Sequence, residues 1–328
     1  MIRLSGRKRT AIAIDLGGTS IKGALIDEKG AILVKKSLPT EADKGYEVVR
    51  QNVLTLIEFF QDKKSEEKAS LEGIGLGVPG TIDPRSPHVV TFAPNLHWRN
   101  VPIGSDLAEQ TKLPVFMEND ANLAACGEYW KGSGQGAASM ALITLGTGVG
   151  CGLILDHQLY RGSKGAAGEI GHLVLVPDGP LCNCGRKGCL EALVGAPAIV
   201  AMAQKHLALE RSGFLATVEG PLEARHVFDG ARQKDPMALS MVQQVAGYLG
   251  WGLALLLNLL NLERILIGGG MAQAGDVLFN PLRDMVKQRA LPAAIESCEI
   301  QGAILGNDAG IMGAAAQVFQ SVEKVGDQ

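Results

Sequence analysis

The stretch DLGGTSIKGALID, residues 15–27, has a counterpart at residues 144–156, where the chain reads TLGTGVGCGLILD. The two stretches can be aligned without gaps. In each, a glycine-rich turn separates two segments rich in β-forming residues, which is typical of a β-hairpin. Glycine-rich hairpins can also resemble one another by chance. We interpret this pair as a duplicated fold, with two related α/β halves that each offer a turn able to face phosphate.

Strands and helices alternate outside the two hairpins as well. Val49, Val53, Ile57 and Phe60 recur at helical spacing and predict a buried helix over residues 46–61. At 328 residues the chain is too long for one ordinary core, so two domains are expected. No low-complexity linker separates them, so they should pack tightly. The other predicted elements are strands at residues 10–16, 21–27, 31–37, 71–78, 115–118, 141–145, 152–156 and 264–270, and helices at residues 105–111, 121–130, 237–262 and 309–321.

Composition and charge exclude several classes of function. The formal net charge is −3 and the pI is near 6.1, so there is no electrostatic reason to expect a nucleic-acid partner. The most apolar segment, residues 251–262, is short for a membrane span and contains Gly252, Asn258 and Asn261, which favours a core helix. Asp15 interrupts the apolar run after the basic N-terminus, which argues against a signal peptide. A cytoplasmic protein without a membrane partner is therefore expected.

The first hairpin turn has the chemistry of a phosphate site. Asp15 ends a strand, where its carboxylate can hold a hydrated Mg²⁺, and Gly17, Gly18 and Thr19 supply backbone N–H groups and a hydroxyl. The same residues also suit a plain hairpin turn. Two further glycine-rich turns follow predicted strands, and three such turns favour a nucleotide more than one does. They consist of Gly146, Thr147 and Gly148, and of Gly268, Gly269 and Gly270.

Two common nucleotide-binding motifs can be rejected. GLGVPG at residues 75–80 fits the GxGxxG dinucleotide fingerprint, but that fingerprint opens a helix. Here Thr81, Asp83 and Pro84 follow, which predicts a loop. The P-loop pattern GxxxxGK[ST] does not occur in the sequence. A nucleotide site in this chain therefore has to be of another kind.

Asp120 is the candidate catalytic base. Glu118, Asn119 and Asp120 end a predicted strand and precede a predicted helix. An aspartate at such a position is commonly an N-cap. The alternative is a carboxylate at the mouth of an interdomain cleft, where it accepts the proton of a hydroxyl group that attacks a phosphoryl group.

A cysteine cluster is the most specific local signal. Cys182, Cys184 and Cys189 lie within eight residues, and His172 lies ten residues before Cys182. A Cys₃His set of this kind is typical of structural zinc, with no open position for chemistry. Incidental free cysteines are the less favoured explanation.

Two acidic residues flank the cysteine cluster. Glu169 precedes His172 by three residues, and Glu191 follows Cys189 by two. Isolated surface glutamates are usually only solvated. Held near a metal loop, these carboxylates would instead accept hydrogen bonds from sugar hydroxyl groups. The phosphate-facing turns are expected not to depend on this loop.

Together these motifs resemble the ROK family, named for repressors, open reading frames and kinases, over nearly the whole chain. The resemblance implies an α/β, actin-like and hexokinase-like (ribonuclease H-like) duplicated two-domain fold with an interdomain cleft. It implies a small domain at residues 1–118 plus 305–328, and a large domain at residues 119–304 that carries the zinc-binding loop. The motifs are DLGGT at residues 15–19, GVPG at 77–80, PNL at 94–96, ENDAN at 118–122, LGTG at 145–148, GEIGH at 168–172 and the run 182–191.

The resemblance also implies roles for the residues that match. Asp120 would be the base, and His172 would use one ring nitrogen for zinc and the other for a sugar hydroxyl. The cofactors would be ATP with Mg²⁺ and one structural Zn²⁺. The implied zinc ligands are His172, Cys182, Cys184 and Cys189. The implied sugar contacts are Gly80, Asn95, Asn119, Asp120, Glu169, His172 and Glu191. The implied contacts to ATP and Mg²⁺ are Asp15, Gly17, Gly18, Thr19, Gly146, Thr147, Gly148, Gly269 and Gly270.

The activity implied is ATP-dependent phosphorylation of a hexose at the 6-hydroxyl group. APNLHW at residues 93–98 is most similar to the bacterial glucokinases of the family, although His97 stands where those have glycine. N-acetylmannosamine, mannose and fructose stay as alternative substrates, and polyphosphate as an alternative donor. ROK repressors carry a helix-turn-helix domain ahead of the core, for which the residues before position 10 leave no room. A non-catalytic sugar-sensing protein is a further alternative, and a homodimer or homotetramer is expected.

Overall fold

The computed structural model describes residues 8–66 and 69–326. Within these ranges the chain forms thirteen strands and ten α-helices. The strands are β1 (Arg9–Leu16), β2 (Ser20–Asp27), β3 (Ile32–Pro39), β4 (Ser70–Val78), β5 (Thr81–Ile82), β6 (Val90–Ala93), β7 (Trp98–Val101), β8 (Val115–Asn119), β9 (Met140–Leu145), β10 (Val149–Leu155), β11 (Gln158–Leu159), β12 (Arg264–Gly268) and β13 (Glu299–Gly302). The helices are α1 (Tyr46–Glu66), α2 (Ile103–Thr111), α3 (Asp120–Lys131), α4 (Leu190–Val194), α5 (Ala196–Leu209), α6 (Ala224–Arg232), α7 (Pro236–Leu260), α8 (Asp276–Arg289), α9 (Pro292–Glu296) and α10 (Ala309–Gly326).

Two five-stranded sheets share one topology. The strand order is β3-β2-β1-β4-β8 in the first sheet and β11-β10-β9-β12-β13 in the second. In each sheet the first three strands along the chain pair antiparallel, and the last two pair parallel to the strand before them in that order. The predicted duplication of an α/β unit is therefore confirmed.

The gapless alignment of the two hairpins is wrong by one residue in register. In the first hairpin Leu16 pairs with Ile21, which leaves residues 17–20 in the turn. In the second hairpin Leu145 pairs with Val149, which leaves only residues 146–148. The Gly146 N–H donates to the Gly148 carbonyl at 3.0 Å and closes this shorter turn. Because the second turn is one residue shorter, the residues after it are displaced by one position relative to the alignment. Strand β10 also begins three residues earlier than predicted.

Apolar residues join each sheet to its helices. In the first half, Phe60 of α1 is fully buried in one core with Ile12 and Leu25 of the sheet. In the second half, α7 packs against α6 and α8 over a larger core. The predicted strand at residues 264–270 ends at Gly268, because Gly269 has a φ of 80°, which a strand does not accommodate.

A small third sheet, β5-β6-β7, was not predicted from the sequence. Its strands have only two to four residues, which is too short for an alternating pattern to be recognised. This sheet brings the loop at Asn95 to the first hairpin turn. A Cβ atom added to Gly18 would lie 3.4 Å from the Asn95 Cβ.

Helix α7 is long and apolar enough to cross a bilayer by length and composition, with a mean hydropathy of 1.2 over its most apolar window. However, 56% of that window is buried inside the protein. Its buried residues, among them Leu249, Leu253 and Leu257, belong to the core of the second half. This burial is typical of the core helix that the sequence indicated.

Helices α3 and α10 pack along each other at the seam between the halves. Helix α10 lies on β1 and β4 of the first sheet, and α3 also contacts β9 and β10 of the second. The two helices are so close that a Cβ atom added to Gly313 would lie 1.8 Å from the Leu123 carbonyl oxygen. Two segments link this pair of helices to the second sheet, residues 132–139 between α3 and β9 and residues 303–308 between β13 and α10. We refer to these two segments as the crossings.

Candidate active site

A cleft of about 520 Å³ lies between the two halves. Both hairpin turns, the start of α3 and the segment around Glu169 and His172 border it. Most of the residues predicted to form the site meet here. They are Asp15, Gly17, Asn119, Asp120, Gly146, Gly148, Glu169, His172, Glu191 and Gly269.

Asp120 is the first residue of α3 and faces the cleft. The N-cap of this helix is Asn119, whose Oδ1 accepts hydrogen bonds from the backbone N–H groups of Ala121 at 2.9 Å and Asn122 at 3.2 Å. Asp120 can be reached by water from the cleft, but protein surrounds it closely on the other sides. This reduced hydration raises the pKa of the Asp120 carboxyl group to about 6, against a hydrogen bond from the Ala121 N–H that lowers it. Nearby Asp15 raises the pKa further.

The neighbours of Asp120 hold the start of α3 in place. Asn119 Nδ2 donates to the Gly80 carbonyl at 3.0 Å, which fastens the GVPG loop to the helix. Glu118 is buried, and its Oε1 accepts from the Asn119 N–H at 3.0 Å and from Asn122 Nδ2 at 2.9 Å. Its Oε2 pairs with Arg161 Nε at 2.5 Å. Glu118, Asn119 and Asn122 of the ENDAN motif therefore hold Asp120 in position.

The first turn brings together the Asp15 carboxylate, the Lys22 side chain and glycine backbone. Asp15 pairs with Lys22 across β1 and β2. Burial raises the pKa of the Asp15 carboxyl group, and the charge of Lys22 opposes this shift. The Gly17 N–H donates to the Ser20 carbonyl at 3.0 Å, and Thr40 Oγ1 donates to the Gly17 carbonyl at 2.6 Å. Gly17 therefore shapes the turn, and its own N–H is already engaged.

The four predicted metal ligands converge on one point. The ligand atoms of His172, Cys182, Cys184 and Cys189 all lie within 4.8 Å of one another. The Sγ atoms of Cys184 and Cys189 are 3.7 Å apart, and Cys182 Sγ is 3.6 Å from His172 Nδ1. A tetrahedral zinc ion, with Zn–S bonds of about 2.3 Å and Zn–N bonds of about 2.0 Å, separates sulfur atoms by about 3.8 Å and sulfur from nitrogen by about 3.5 Å. Both the donor atoms and their spacing fit zinc.

Two glycines turn the cysteine loop, as the sequence indicated. Gly185 has a φ of 85° and Gly188 a φ of 72°, in the left-handed region that favours glycine. A Cβ atom added to Gly188 would lie 1.6 Å from the Val176 carbonyl oxygen. The loop can therefore close on His172 only with glycine at this position.

The imidazole of His172 lies between the cysteines and the Glu169 carboxylate. Its Nδ1 faces Cys182, and its Nε2 is 3.9 Å from Glu169 Oε2. One ring nitrogen is thus placed for a metal and the other is directed towards a carboxylate that borders the cleft.

Glu191 links the cysteine loop to the second hairpin turn. Its Oε2 accepts from the Val149 N–H at 3.1 Å, and its Oε1 is 3.6 Å from Cys182 Sγ. A Cβ atom added to Gly148 would lie 2.5 Å from Glu191 Oε2. The second turn is therefore in contact with Glu191, and the expectation that the phosphate-facing turns do not depend on this loop stays a prediction.

A second cavity, of about 660 Å³, adjoins the cleft at Leu145 and Gly146. Two predicted residues, Thr147 and Gly270, line it rather than the cleft. Most of its wall is apolar, and Glu223, Arg225, Asp229 and Arg232 add charged groups. An apolar cavity next to a phosphate-facing turn suits a nucleotide base. The apolar lining includes Ala196, Pro197, Val200, Leu222, Phe228, Met271 and Ala274.

The other predicted residues lie beside the cleft. Gly80 reaches it through its bond to Asn119, and Asn95 is exposed next to Gly18. Thr19 is exposed in the first turn, and its carbonyl accepts from the Thr40 N–H at 3.0 Å.

Several residues that border the cleft were missed by the sequence reasoning. Lys22 is the only lysine or arginine that lines the cleft in the part of the chain that the structure describes. Pairing of the first hairpin through a four-residue turn places it opposite Asp15, so the hairpin itself held the signal. Asn307 lies just before α10 and Gly310 in its first turn, and no local motif marks either residue.

A family profile and two glucokinases match this chain over nearly its full length. The profile of the ROK family matches residues 11–321. The glucokinase of Halalkalibacterium halodurans is 41% identical over 323 residues, which cover 96% of this chain and 98% of that protein. The glucokinase of Thermotoga maritima is 38% identical over 320 residues, which cover 96% of this chain and 99% of that protein.

A solved structure agrees with these relatives. The ROK family glucokinase from Streptomyces griseus, in complex with glucose and AMPPNP, has a TM-score of 0.79 and 34% identity, and the match covers 95% of this chain and 99% of that chain. The actin-like, hexokinase-like fold that the motifs implied is therefore confirmed. With its two repeated sheets, its cleft and its Cys₃His cluster, this chain belongs to the ROK family.

Proposed function

We propose that this protein transfers the γ-phosphoryl group of ATP to the 6-hydroxyl group of a hexose, most simply glucose. The observation that carries the proposal is the position of Asp120. Its carboxylate shares one cleft with the glycine-rich turns and with Glu169, His172 and Glu191. The relatives named glucokinase, and the related structure with glucose and AMPPNP, give further support.

Asp120 acts as the general base. Its carboxylate accepts the proton of the sugar 6-hydroxyl as that oxygen attacks the γ-phosphorus of ATP. A new O–P bond forms while the bond from the γ-phosphorus to the β–γ bridging oxygen breaks. The products are the hexose 6-phosphate, ADP and the proton that Asp120 then releases.

The charge of the transferred group is balanced by groups on both halves. Mg²⁺, when bound with ATP, neutralises phosphate charge, and Asp15 is placed to hold its water shell. Lys22 adds a fixed positive charge in the same cleft. In the second turn, the N–H groups of Thr147 and Gly148 have no backbone carbonyl partner among the described residues, so they can donate to phosphate oxygens.

One structural Zn²⁺ is part of the proposal. His172, Cys182, Cys184 and Cys189 would hold it, and all four positions of the tetrahedron would be filled by protein. The ion would fix the His172 ring, so that Nε2 faces Glu169 and the sugar. It would take no part in phosphoryl transfer.

Domain boundaries, assembly and location complete the proposal. We propose a small domain at residues 1–118 plus 305–328 and a large domain at residues 119–304, in a cytoplasmic homodimer or homotetramer without nucleic-acid or membrane partners. The exposed side chains of Trp251, Leu255 and Leu259 recur every four residues along α7, and a second copy would cover such an apolar stripe.

Substrate identity is tested with a panel of sugars and donors. Glucose, mannose, fructose and N-acetylmannosamine are each assayed with ATP or polyphosphate, and the sugar phosphate is measured directly. We expect glucose with ATP to give the highest kcat/KM. A higher value for another hexose would reassign the substrate, which is of interest because His97 has a φ of 56° at a position that favours glycine. No transfer to any sugar would leave a sugar-sensing protein.

The value of kcat/KM for the sugar is expected to fall as pH decreases through about 6. Because the base must be ionised, a pKa of about 6 leaves about half of Asp120 active at pH 6 and about a tenth at pH 5. Above about pH 7 nearly all of it is ionised, so this limb should level off. The measurement is a pH profile at saturating ATP, with enzyme stability checked at each pH. A profile that stays flat down to pH 5 would contradict the raised pKa.

A further inference from the structure

Glu128 is a buried carboxylate that lies outside the cleft. It belongs to α3, eight residues after Asp120, and its side chain is 0% exposed. Its two oxygens bind two different backbone segments. Oε2 accepts from the Ser133 N–H at 2.8 Å, and Oε1 accepts from the Leu305 N–H at 2.7 Å. A single side chain therefore bonds to both crossings.

The first crossing is also bonded to the second sheet, through β12 and β13. Ser133 Oγ donates to the Gly302 carbonyl at 2.9 Å, and Gln301 Nε2 is 3.3 Å from the Ser133 carbonyl. Arg264 Nη1 donates to the same carbonyl at 2.7 Å. Ser133 thus fastens the first crossing to the second sheet, and Glu128 connects this point to α3.

The surroundings of Glu128 are built around its carboxylate. A Cβ atom added to Gly132 would lie 2.0 Å from Glu128 Oε2, so the backbone wraps closely over it. The described ion pairs give Glu128 no cationic partner, so the two backbone N–H groups satisfy it. Hydrogen bonds from N–H groups to a carboxylate are shorter and stronger than neutral ones. This arrangement fixes the carboxylate and both segments relative to one another.

We propose that Glu128 is a positioning residue, the pivot that makes both crossings move with the helix that carries Asp120. In one direction α3 leads from Glu128 to Asp120 at its first residue. In the other, Leu305 is followed directly by Gly306 and Asn307, which line the cleft. Glu128 therefore connects the helix that carries Asp120 with a segment that lines the cleft.

The inference rests on the proposed function, because a kinase must close its cleft around the sugar to keep water from the γ-phosphoryl group. Hinge positions lie away from the chemistry, and their substitution commonly changes kcat and KM together. With its pivot loosened, the closed state would be less populated, and Asp120 would be aligned less often with the attacking hydroxyl.

The test compares two variants of the full chain. Glu128→Gln keeps the shape of the side chain but replaces one acceptor oxygen by an NH₂ group, so one backbone N–H loses its partner. Asp235→Asn is the matched control. Asp235 accepts from the Ala238 N–H at 2.9 Å and the Phe214 N–H at 2.7 Å, so it also joins two backbone segments, but both lie within the second half. Both variants should lose thermal stability.

Only Glu128→Gln should alter catalysis and closure. We expect its kcat/KM for glucose to fall about tenfold, the scale of one lost hydrogen bond to a charged group, with kcat lower and KM higher. Asp235→Asn should stay within about twofold of the unmodified protein. Small-angle scattering should show a glucose-induced decrease in the radius of gyration for the unmodified chain and the control, and a smaller decrease for Glu128→Gln. Amide exchange without ligand should become faster at Ser133 or Leu305 in Glu128→Gln alone.

Failure of the pivot can be separated from failure of the proposed function. If the unmodified chain phosphorylates glucose and closes, but Glu128→Gln behaves like Asp235→Asn, the residue has only a structural role and the inference is overturned. If the unmodified chain phosphorylates no hexose, the proposed function fails instead. Should Glu128→Gln not fold, Ser133→Ala removes the bond to the Gly302 carbonyl and leaves Glu128 in place. It should reduce closure in the same direction, and unaltered closure and kinetics would overturn the inference.

Discussion

Replacement of Asp120 by asparagine is expected to lower kcat by at least ~10²-fold, the usual scale for loss of a general base. Asparagine has nearly the same shape but cannot accept the proton of the sugar hydroxyl. Helix α3 should keep its start, because Asn119 supplies the N-cap. Glucose affinity should therefore change much less than kcat. The measurements are kcat from a coupled ADP assay and glucose affinity from calorimetric titration.

Asp276→Asn is the matched control for this substitution. Asp276 is also the first residue of an α-helix, α8, and it is exposed outside the cleft. Both variants lose a negative charge at a helix N-terminus, which costs only a fraction of a kcal/mol to about 1 kcal/mol of stability. The control should keep its kcat. A near-normal kcat for Asp120→Asn, with folding unchanged, would remove Asp120 from the role of base.

Replacement of Cys184 by serine is expected to abolish zinc binding and to weaken glucose binding roughly 10–100-fold, the usual cost of losing support around a metal site. Without the ion, the loop of residues 182–191 is no longer held to His172. His172 and Glu191 would then lose their fixed positions in the sugar site. Zinc content is measured by mass spectrometry and glucose affinity by calorimetric titration.

The nucleotide site provides the internal comparison for Cys184→Ser. Because Glu191 accepts from the Val149 N–H, affinity for a non-hydrolysable ATP analogue should also fall, but less than glucose affinity. Cys298→Ser is the control, since Cys298 is a half-buried cysteine outside the cluster. A zinc-free variant with unaltered glucose affinity would refute the link. Equal loss of both affinities, with an altered circular dichroism spectrum, would indicate general unfolding.

The duplicated architecture could be predicted because its signals are local. Alternating apolar residues and clustered glycines mark both hairpins, and the helical spacing of Val49, Val53 and Ile57 marks α1. The register of the second hairpin could not be predicted in the same way. Glycines occur at positions 146, 148, 150 and 152, so the pattern does not reveal where the turn ends and the strand begins.

Some chemical groups of the site could also be predicted from local sequence, and others could not. Asp120 and the Cys₃His set lie in short motifs whose residue types indicate a base and a metal site. Glu128, in contrast, reads as an ordinary helix glutamate beside Tyr129 and Trp130. Its burial depends on contacts with Leu305, 177 residues away, and only the folded chain brings these together. The apolar cavity beside the second turn is likewise assembled from α5, α6 and the segment after β12.

Glu191 has a consequence for how the two substrates sense each other. This one side chain borders the cleft and also bonds to the N–H of Val149, the residue after the second turn. Under the proposed function, the sugar contacts the Glu191 carboxylate, and the nucleotide phosphate lies at the second turn, next to Val149. Thermodynamic reciprocity then applies: the factor by which bound sugar changes nucleotide affinity is the factor by which bound nucleotide changes sugar affinity. The sugar concentration at half-saturation therefore depends on the nucleotide concentration in the cell as well as on the sugar pocket.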